Sequence, residues 1–588
     1  MKINFPNIPD TFCTDSAITI AEALNRIGHP MDLVCGGQGT CNKCMVDIEE
    51  HGRIQKVRAC QEMIRDGMSV LFTPEAQKNQ ILENARPSAP SPFDPMLKQF
   101  SLPTDSLKAP LGGFDFEMIR QAVPISLADL SWEALQKLNQ LMAAPPKPFL
   151  NVICYGSDVI AFSSSDTPFP LYGMAFDIGT TTVVGYLYDM TTGHLLAQAS
   201  ALNRQIRFGA DVISRIAAAG ESETRLFEIH TAIIDTLSGI ITEACRQAQI
   251  ASSLIYAATY CGNSTMINLL LNVSPVRLGR VPFLNTSRDC LTLFHNGLGL
   301  PVAPACVHTT LPLLGGFVGA DTAAVLLSLP DDHRCRLMID LGTNGEIAVT
   351  DGSRCLVAST ACGPALEGAG LSMGMRGTTG AIERVRCHDG RLLCDVIGGG
   401  PAQGFCGSGI IDAIACLLSI GLILPQGSFK KEDAVADPAL ARRLSRTEKG
   451  QRQLTLLTSE ENHGGPAIVI TQKDIRAIQL AKGAIYTGCS LLLSHYGIDG
   501  SALSEIVISG AFGNYIDVHN AQSIGLLPTY DGVPVRSVGN GAGLGARKFL
   551  LNVQEQRRCD HIKAITTHLE LASDPEFANA YILNTSFQ

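Results

Sequence analysis

MAFDIGTTTVVGYLYDMTTGHLLAQAS, residues 174–200, and LMIDLGTNGEIAVTDGSRCLVAST, residues 337–360, are two versions of one unit. Each opens with an apolar run that ends in Asp-x-Gly-Thr. A second strand-like run follows, then a short turn (Thr192-Gly193 or Gly352-Ser353) and a third strand. Asp177 matches Asp340, Gly179 matches Gly342, and Thr180 matches Thr343. A single hairpin of this kind is weak evidence, but two copies inside the same three-strand pattern mark an internal duplication. A turn of glycine and small hydroxyl residues can close over phosphate oxygens, donating amide and hydroxyl hydrogens. The aspartate at the strand end suits a hydrated Mg2+ that bridges such oxygens. Two units face to face would clamp a phosphate chain from both sides.

Further blocks follow in order: GGFVGADTAAVLL from Gly315, EIVISGAFGNYID from Glu505 and VGNGAGLGA from Val538. IVIS reads as a buried strand, and the glycine run after it lets backbone approach a flat ligand. The competing nucleotide motifs fail. No G-x-x-x-x-G-K-[ST] occurs, and GFCGSG from Gly404 reads as a turn before the helix GIIDAIACLL. These blocks resemble the ASKHA superfamily of acetate and sugar kinases, Hsp70 and actin. The resemblance makes the hairpins the phosphate-1 and phosphate-2 motifs, and makes the Gly315 and Val538 blocks the two connecting helices. It assigns Gly179, Thr180, Thr181 and Thr182, with Gly342, Thr343 and Asn344, to the phosphates. It assigns Ser509, Gly510, Ala511 and Gly513 to the adenosine. Asp177 and Asp340 would position Mg2+ and the attacking water, and either could serve as base. Asp321 and Glu367 read as lobe-facing acids or helix caps, and Glu346 as a strand surface charge.

The N-terminal region carries VCGGQGTCNKCMVDI and then Cys60, so that Cys35, Cys41, Cys44 and Cys60 form C-x5-C-x2-C-x15-C. Three cysteines in a glycine-rich loop plus a more distant fourth suit thiolate ligation of a [2Fe–2S] cluster. Only Cys41 and Cys44 have the spacing of a zinc knuckle, so a four-cysteine zinc site is the alternative. Lys2 to Phe5, Cys44 to Glu49 and Ser69 to Phe72 read as strands, and Ser16 to Ile27 as an amphipathic helix. The order resembles plant-type and adrenodoxin-type ferredoxins, with the five-residue first gap of the latter.

Composition narrows the rest. With 588 residues, 46% hydrophobic and 17% charged, the chain can bury several cores. A net charge of −10, a single Trp and 6% aromatics give no support to nucleic-acid binding. Ile410 to Leu424, the longest apolar stretch, is interrupted by Asp412 and is too short to span a bilayer, so no membrane role is expected. The N-terminus lacks the features of a signal peptide, which points to a cytoplasmic protein. Most of the 19 cysteines, Cys261, Cys362 and Cys406 among them, read as small buried residues. The expected organisation is a multidomain α/β and α+β chain. It has a β-grasp ferredoxin-like domain (1–83), a linker (84–112) and a small connecting domain (113–170). A duplicated actin-like, RNase H-like ATPase core (171–588) follows, with lobes at about 171–330 and 331–550 and a C-terminal tail.

A [2Fe–2S] module, a linker and an ASKHA core together resemble the reductive activators of corrinoid proteins. FGADVISRI from Phe208, GNSTMINLLL from Gly262, LGRVPF from Leu278 and ACGPALEGAGLSMGMRGTTGAI from Ala361 also resemble that family. The resemblance implies an ATP-dependent one-electron reduction of Co(II) cobalamin to Co(I) on a corrinoid partner. The cofactors implied are a [2Fe–2S] cluster, ATP and Mg2+, with a separate low-potential electron donor and a homodimer. The alternatives are a small-molecule kinase with a regulatory iron–sulfur domain, the activator of a radical dehydratase, and a nucleotide-gated scaffold.

Overall fold

The computed structural model describes residues 2–6, 11–13, 18–27, 44–50, 53–71, 92–107, 115–145, 147–167, 169–342, 344–388, 391–448, 450–510 and 515–587. The repeated unit folds twice. In the first lobe, strands Tyr172–Ile178, Thr182–Asp189 and Leu195–Leu202 form an antiparallel meander. Helix Glu223–Ala248 then leads to strand Ile255–Gly262, which pairs parallel with the first strand. Strand Val307–Thr310 and helix Ala320–Ser328 complete the lobe. The second lobe repeats this order. Its meander is Arg336–Leu341, Gly345–Thr350 and Cys355–Thr360. Helix Gln472–Tyr496, strand Glu505–Ser509, strand Val535–Ser537 and helix Gly541–Leu551 follow. The duplication therefore extends two strands and two helices beyond the motif legible in the sequence.

The central strands are buried along nearly their whole length because helices cover both sheet faces, which explains their continuous apolar runs. Helix Gly541–Leu551 packs on the first lobe's strands Tyr172–Ile178 and Ile255–Gly262 and against helix Ala320–Ser328. The equivalent helices of the two lobes thus meet at the middle of the molecule. Between its third strand and its long helix, the second lobe inserts two small three-stranded sheets and helix Gly407–Ser419. GFCGSG supplies the turn into that helix.

The N-terminal sheet has the order Thr11–Cys13, Lys2–Asn4, Ser69–Leu71, Met45–Glu50, Arg53–Arg58, and its central pair runs parallel. Together with helix Ile20–Arg26 this is a β-grasp fold around a core of its own.

Two expectations about organisation need correction. Residues 84–112 are not linker throughout: strand Leu97–Pro103 pairs with Phe149–Tyr155, which pairs in turn with Asp158–Ser165. Leu97, Ile153 and Ile160 pack into the first lobe's core, while Leu102, Val152 and Cys154 pack on helices Phe116–Ala122 and Trp132–Ala143. The flanking prolines hide this strand, because Pro103 closes it at an edge where no ladder donor is needed. The last forty residues, expected as a helical or irregular tail, are helical but packed into the core. Helix Val553–Ile565 packs on helix Ala320–Ser328, and strand Thr566–His568 joins the second lobe's sheet beside Cys355–Val357. Phe587 is buried, and its amide donates to the Pro425 carbonyl (2.8 Å).

Candidate active site between the lobes

Asp177 and Asp340 end the first strand of each meander and occupy equivalent registers. Asp177 lies beside Cys261 on the parallel neighbour, and Asp340 beside Ser509. The Cys261 thiol faces Asp177 Oδ1 at 3.9 Å, and the Ser509 hydroxyl, beside Asp340, donates to the Gly539 carbonyl (3.4 Å). A glycine follows each partner. A Cβ on Gly262 would lie 2.7 Å from the Ile178 carbonyl, and one on Gly510 would lie 2.4 Å from the Leu341 carbonyl. Gly510 also has φ +101°, so only glycine brings this backbone alongside the second hairpin without strain.

Each hairpin is closed by its glycine: Gly179 N donates to Thr182 O (3.1 Å), and Gly342 N to Asn344 O (3.0 Å). The first turn is braced from outside. The Asn203 side chain donates to the Gly179 carbonyl (2.9 Å), and its backbone amide donates to the Thr181 carbonyl (2.8 Å). Asn263 donates to Thr180 Oγ1 (3.1 Å). Arg215, fully buried, reaches the Thr180 carbonyl (2.5 Å) and the Gly209 carbonyl (2.9 Å), and burial lowers its pKa to about 9. FGADVISRI and GNSTMINLLL therefore brace the turn of the first hairpin through Arg215 and Asn263. The second turn is held by Cys362, whose thiol donates to the Gly342 carbonyl (3.6 Å). Cys261 and Cys362 thus sit beneath the two hairpins as buried hydrogen-bonding residues, and Cys406 is buried at the start of helix Gly407–Ser419.

Two more acids join the aspartates. Asp321, in the first turn of helix Ala320–Ser328, feels the charges of Asp340 and Asp177. Glu346 pairs directly across the ladder from Asp340, so both side chains leave the same face of the sheet. It is 7% exposed, accepts from Ser359 Oγ (3.2 Å) and feels Asp321 and Asp340. Its expected place on a strand surface is therefore corrected. The adjacent Gly345 turn resembles an exposed one, but the cleft covers it. The Glu367 carboxylate lies 3.9 Å from where a Cβ on Gly342 would stand, at the edge of the same hairpin.

Burial pushes the Asp177 carboxyl up to about 6, opposed by hydrogen bonds from Asn540 and Cys261. Burial and then the charge of Asp177 push Asp340 up to about 7, opposed by Ser509. Burial and then the neighbouring carboxylates raise Asp321 and, further, Glu346. Such a concentration of like charge suits a divalent cation and repels a bare phosphate chain. Among the described residues no three His, Cys, Asp or Glu side chains converge closely enough to hold an ion directly.

Thr343, Ala511 and Gly513 lie outside the described residues, as do Cys35 and Cys41. Cys44 and Cys60 are described. Both are buried, and their sulfurs lie 3.1 Å apart where strands Met45–Glu50 and Arg53–Arg58 converge. A disulfide is about 2.0 Å long. Two thiolates on one tetrahedral metal lie roughly 3.7 Å apart, given metal–sulfur bonds of about 2.3 Å. A small opening would bring this pair to that separation, so the two residues fit a metal–sulfur centre. No helix among the described residues is long and apolar enough to cross a membrane.

Residues 172–330 match the family described as the RACo middle region, and residues 334–588 match the C-terminal domain of RACo, the ASKHA domain. The chain is 50% identical over 588 residues to the corrinoid activation enzyme RamQ of Eubacterium limosum, covering 100% of this chain and 99% of that protein. It is 27% identical over 465 residues to the [Co(II) methylated amine-specific corrinoid protein] reductase of Methanosarcina barkeri, covering 71% of this chain and 77% of that one. Among solved structures, the reductive activator for a corrinoid, iron–sulfur protein superposes with a TM-score of 0.75 at 27% identity, covering 100% of this chain and 98% of its own. With half its residues shared from end to end with one such enzyme, the chain belongs to the family of reductive activators of corrinoid proteins.

Proposed function

We propose that this protein reduces the cobalamin of a corrinoid protein from Co(II) to Co(I), one electron at a time, at the expense of ATP. The observation that carries this reading is the union of two parts in one chain of that family. One is a β-grasp domain with Cys44 and Cys60 side by side, and the other is a pair of duplicated lobes whose carboxylates share a cleft. A [2Fe–2S] cluster held by Cys35, Cys41, Cys44 and Cys60 would supply the single electron and would be refilled by a low-potential donor. Gly179, Thr180, Thr181 and Thr182 would hold the nucleotide phosphates from one side, and Gly342, Thr343 and Asn344 from the other. Ser509, Gly510, Ala511 and Gly513 would lie by the adenosine. Asp177 and Asp340 would hold hydrated Mg2+ and orient the attacking water, with Asp321 and Glu346 adding acceptors for that water shell. Difference in nucleotide state then acts by shifting the lobes between two arrangements, only one of which favours the Co(II) partner. The homodimer implied by the family belongs to this proposal too.

The test is anaerobic. Chemically reduced protein, Mg·ATP and a Co(II) corrinoid protein are mixed, and Co(I) is followed by its visible absorbance. The wild type should form Co(I) only with ATP present. Asp340→Asn should lower the rate by at least about 100-fold, the scale expected when a group acting on the transition state is removed. ATP-independent reduction at the wild-type rate would sink the proposal.

A further inference from the structure

The two aspartates occupy matched registers but are oriented in different ways. Asp340 lies beside Ser509, on the adjacent strand of its own lobe, and its Oδ1 lies 3.0 Å from where a Cβ on Gly510 would stand. Its placement is fixed within one sheet. The equivalent neighbour of Asp177 is Cys261, whose thiol is a weak donor at 3.9 Å. The strong donor to Asp177 comes from elsewhere: Asn540 Nδ2 reaches Asp177 Oδ2 at 2.8 Å. Asn540 follows the second lobe's last parallel strand, 363 residues away along the chain.

Asn540 is itself tightly held. Its Oδ1 accepts from Gly543 N (2.6 Å), capping helix Gly541–Leu551, so its amide is fixed with the NH2 aimed at Asp177. The residue before it ties the turn to the other hairpin, because Gly539 O accepts from Gly510 N (3.0 Å) and lies 3.4 Å from Ser509 Oγ. A Cβ on Gly541 would lie 2.8 Å from Ser509 Oγ. The three-residue turn Gly539–Asn540–Gly541 therefore touches the partner of one aspartate and the other aspartate itself.

We propose that Asn540 is a positioning residue for Asp177 that acts across the lobes: it holds the phosphate-1 carboxylate in its working orientation only while the crossing helices stand as they do here. Gly510 N of the second lobe donates to Gly539 O of the same turn, so the orientation of Asp177 is linked to the place of the second lobe's hairpin. The proposal rests on the reading of the cleft as an ATPase site.

The experiment measures steady-state ATP hydrolysis by the intact protein, with its corrinoid partner present. Binding of a non-hydrolysable ATP analogue and melting temperature are measured in parallel. Asn540→Ser and Asn540→Asp both keep a side-chain oxygen that can cap Gly543 N, and both remove the amide NH2 that donates to Asp177. Each should lower kcat by about 10- to 100-fold with KM for ATP and analogue affinity within about threefold, and with melting unchanged. In an Asp177→Asn background, Asn540→Ser should change the residual kcat by less than about twofold, because it acts through the group already altered. Unchanged kcat in the single variants, a loss carried by KM or melting temperature alone, or additive losses in the double variant would overturn the proposal. A wild type that binds the analogue and never turns ATP over would instead overturn the ATPase reading itself, and this inference with it.

Discussion

Glu346 stands where the first copy of the repeat has Val184: Asp340 pairs with Glu346 in one ladder and Asp177 with Val184 in the other. A valine in the matched position is the signal that marks this glutamate as an inward residue, and it can be read only once the two hairpins are aligned strand by strand. The first turn is one residue longer than the second, so alignment by spacing from the aspartate misses it. The equivalence of Cys261 and Ser509 was obscured for a similar reason, since it lies in register and not in side-chain chemistry. The residues that sequence did expose, Asp177, Asp340 and their glycines, are those whose chemistry permits few substitutes. Because burial and Asp321 raise the pKa of Glu346, the folded protein binds its proton more tightly than the unfolded chain does. The stability associated with that proton is complete below the unfolded value of about 4.5 and is lost as pH rises through the folded value. Glu346→Gln should therefore melt higher than the wild type at pH 8 without Mg2+, with the difference vanishing near pH 4.5. Its ATP turnover should fall at least about tenfold while analogue binding persists. Equal melting curves at both pH values would place Glu346 outside the acidic cluster.

Among the elements, the two crossing helices are the most tightly constrained. A Cβ on Gly545 would fall 1.9 Å from the Ala324 carbonyl, so the backbones touch where Gly541–Leu551 passes Ala320–Ser328. Glycine to alanine inside a helix ordinarily gains about 0.5–1 kcal/mol from backbone entropy. Here the methyl meets main chain that has no rotamer with which to yield. Gly545→Ala should lose about 1–3 kcal/mol in urea unfolding, the range for overpacked cores, and should weaken ATP turnover. A stabilised variant would show that the helices can part at no cost. Both helices were legible as glycine-led blocks, whereas their contact was not, because the crossing point depends on three-dimensional placement. Strand Leu97–Pro103 was obscured in the opposite way, since local proline and serine chemistry argued against a strand that the first lobe's core nonetheless recruits.

At the scale of the whole molecule, the β-grasp domain keeps a hydrophobic core separate from those of the two lobes. Damage to the cysteine centre should remain local. Cys60→Ser should lower the iron content of anaerobically purified protein to below about half that of the wild type. Affinity for an ATP analogue should stay within about twofold, because among the described residues the carboxylates of the cleft come from the two lobes and not from that domain. A colourless wild type with tightly bound zinc would remove the electron-transfer role while leaving the cleft chemistry standing.

The chain passes between the lobes three times. It crosses first at 330–336, again where strand Val535–Ser537 gives way to helix Gly541–Leu551 on the first lobe's sheet, and finally when helix Val553–Ile565 returns to lay strand Thr566–His568 on the second. A panel hung on one pin can swing, twist and slide, while one hung on three pins in line can only swing. The last forty residues make the third pin. They tie the halves together at a third place, so that sliding one lobe past the other would strain every crossing at once.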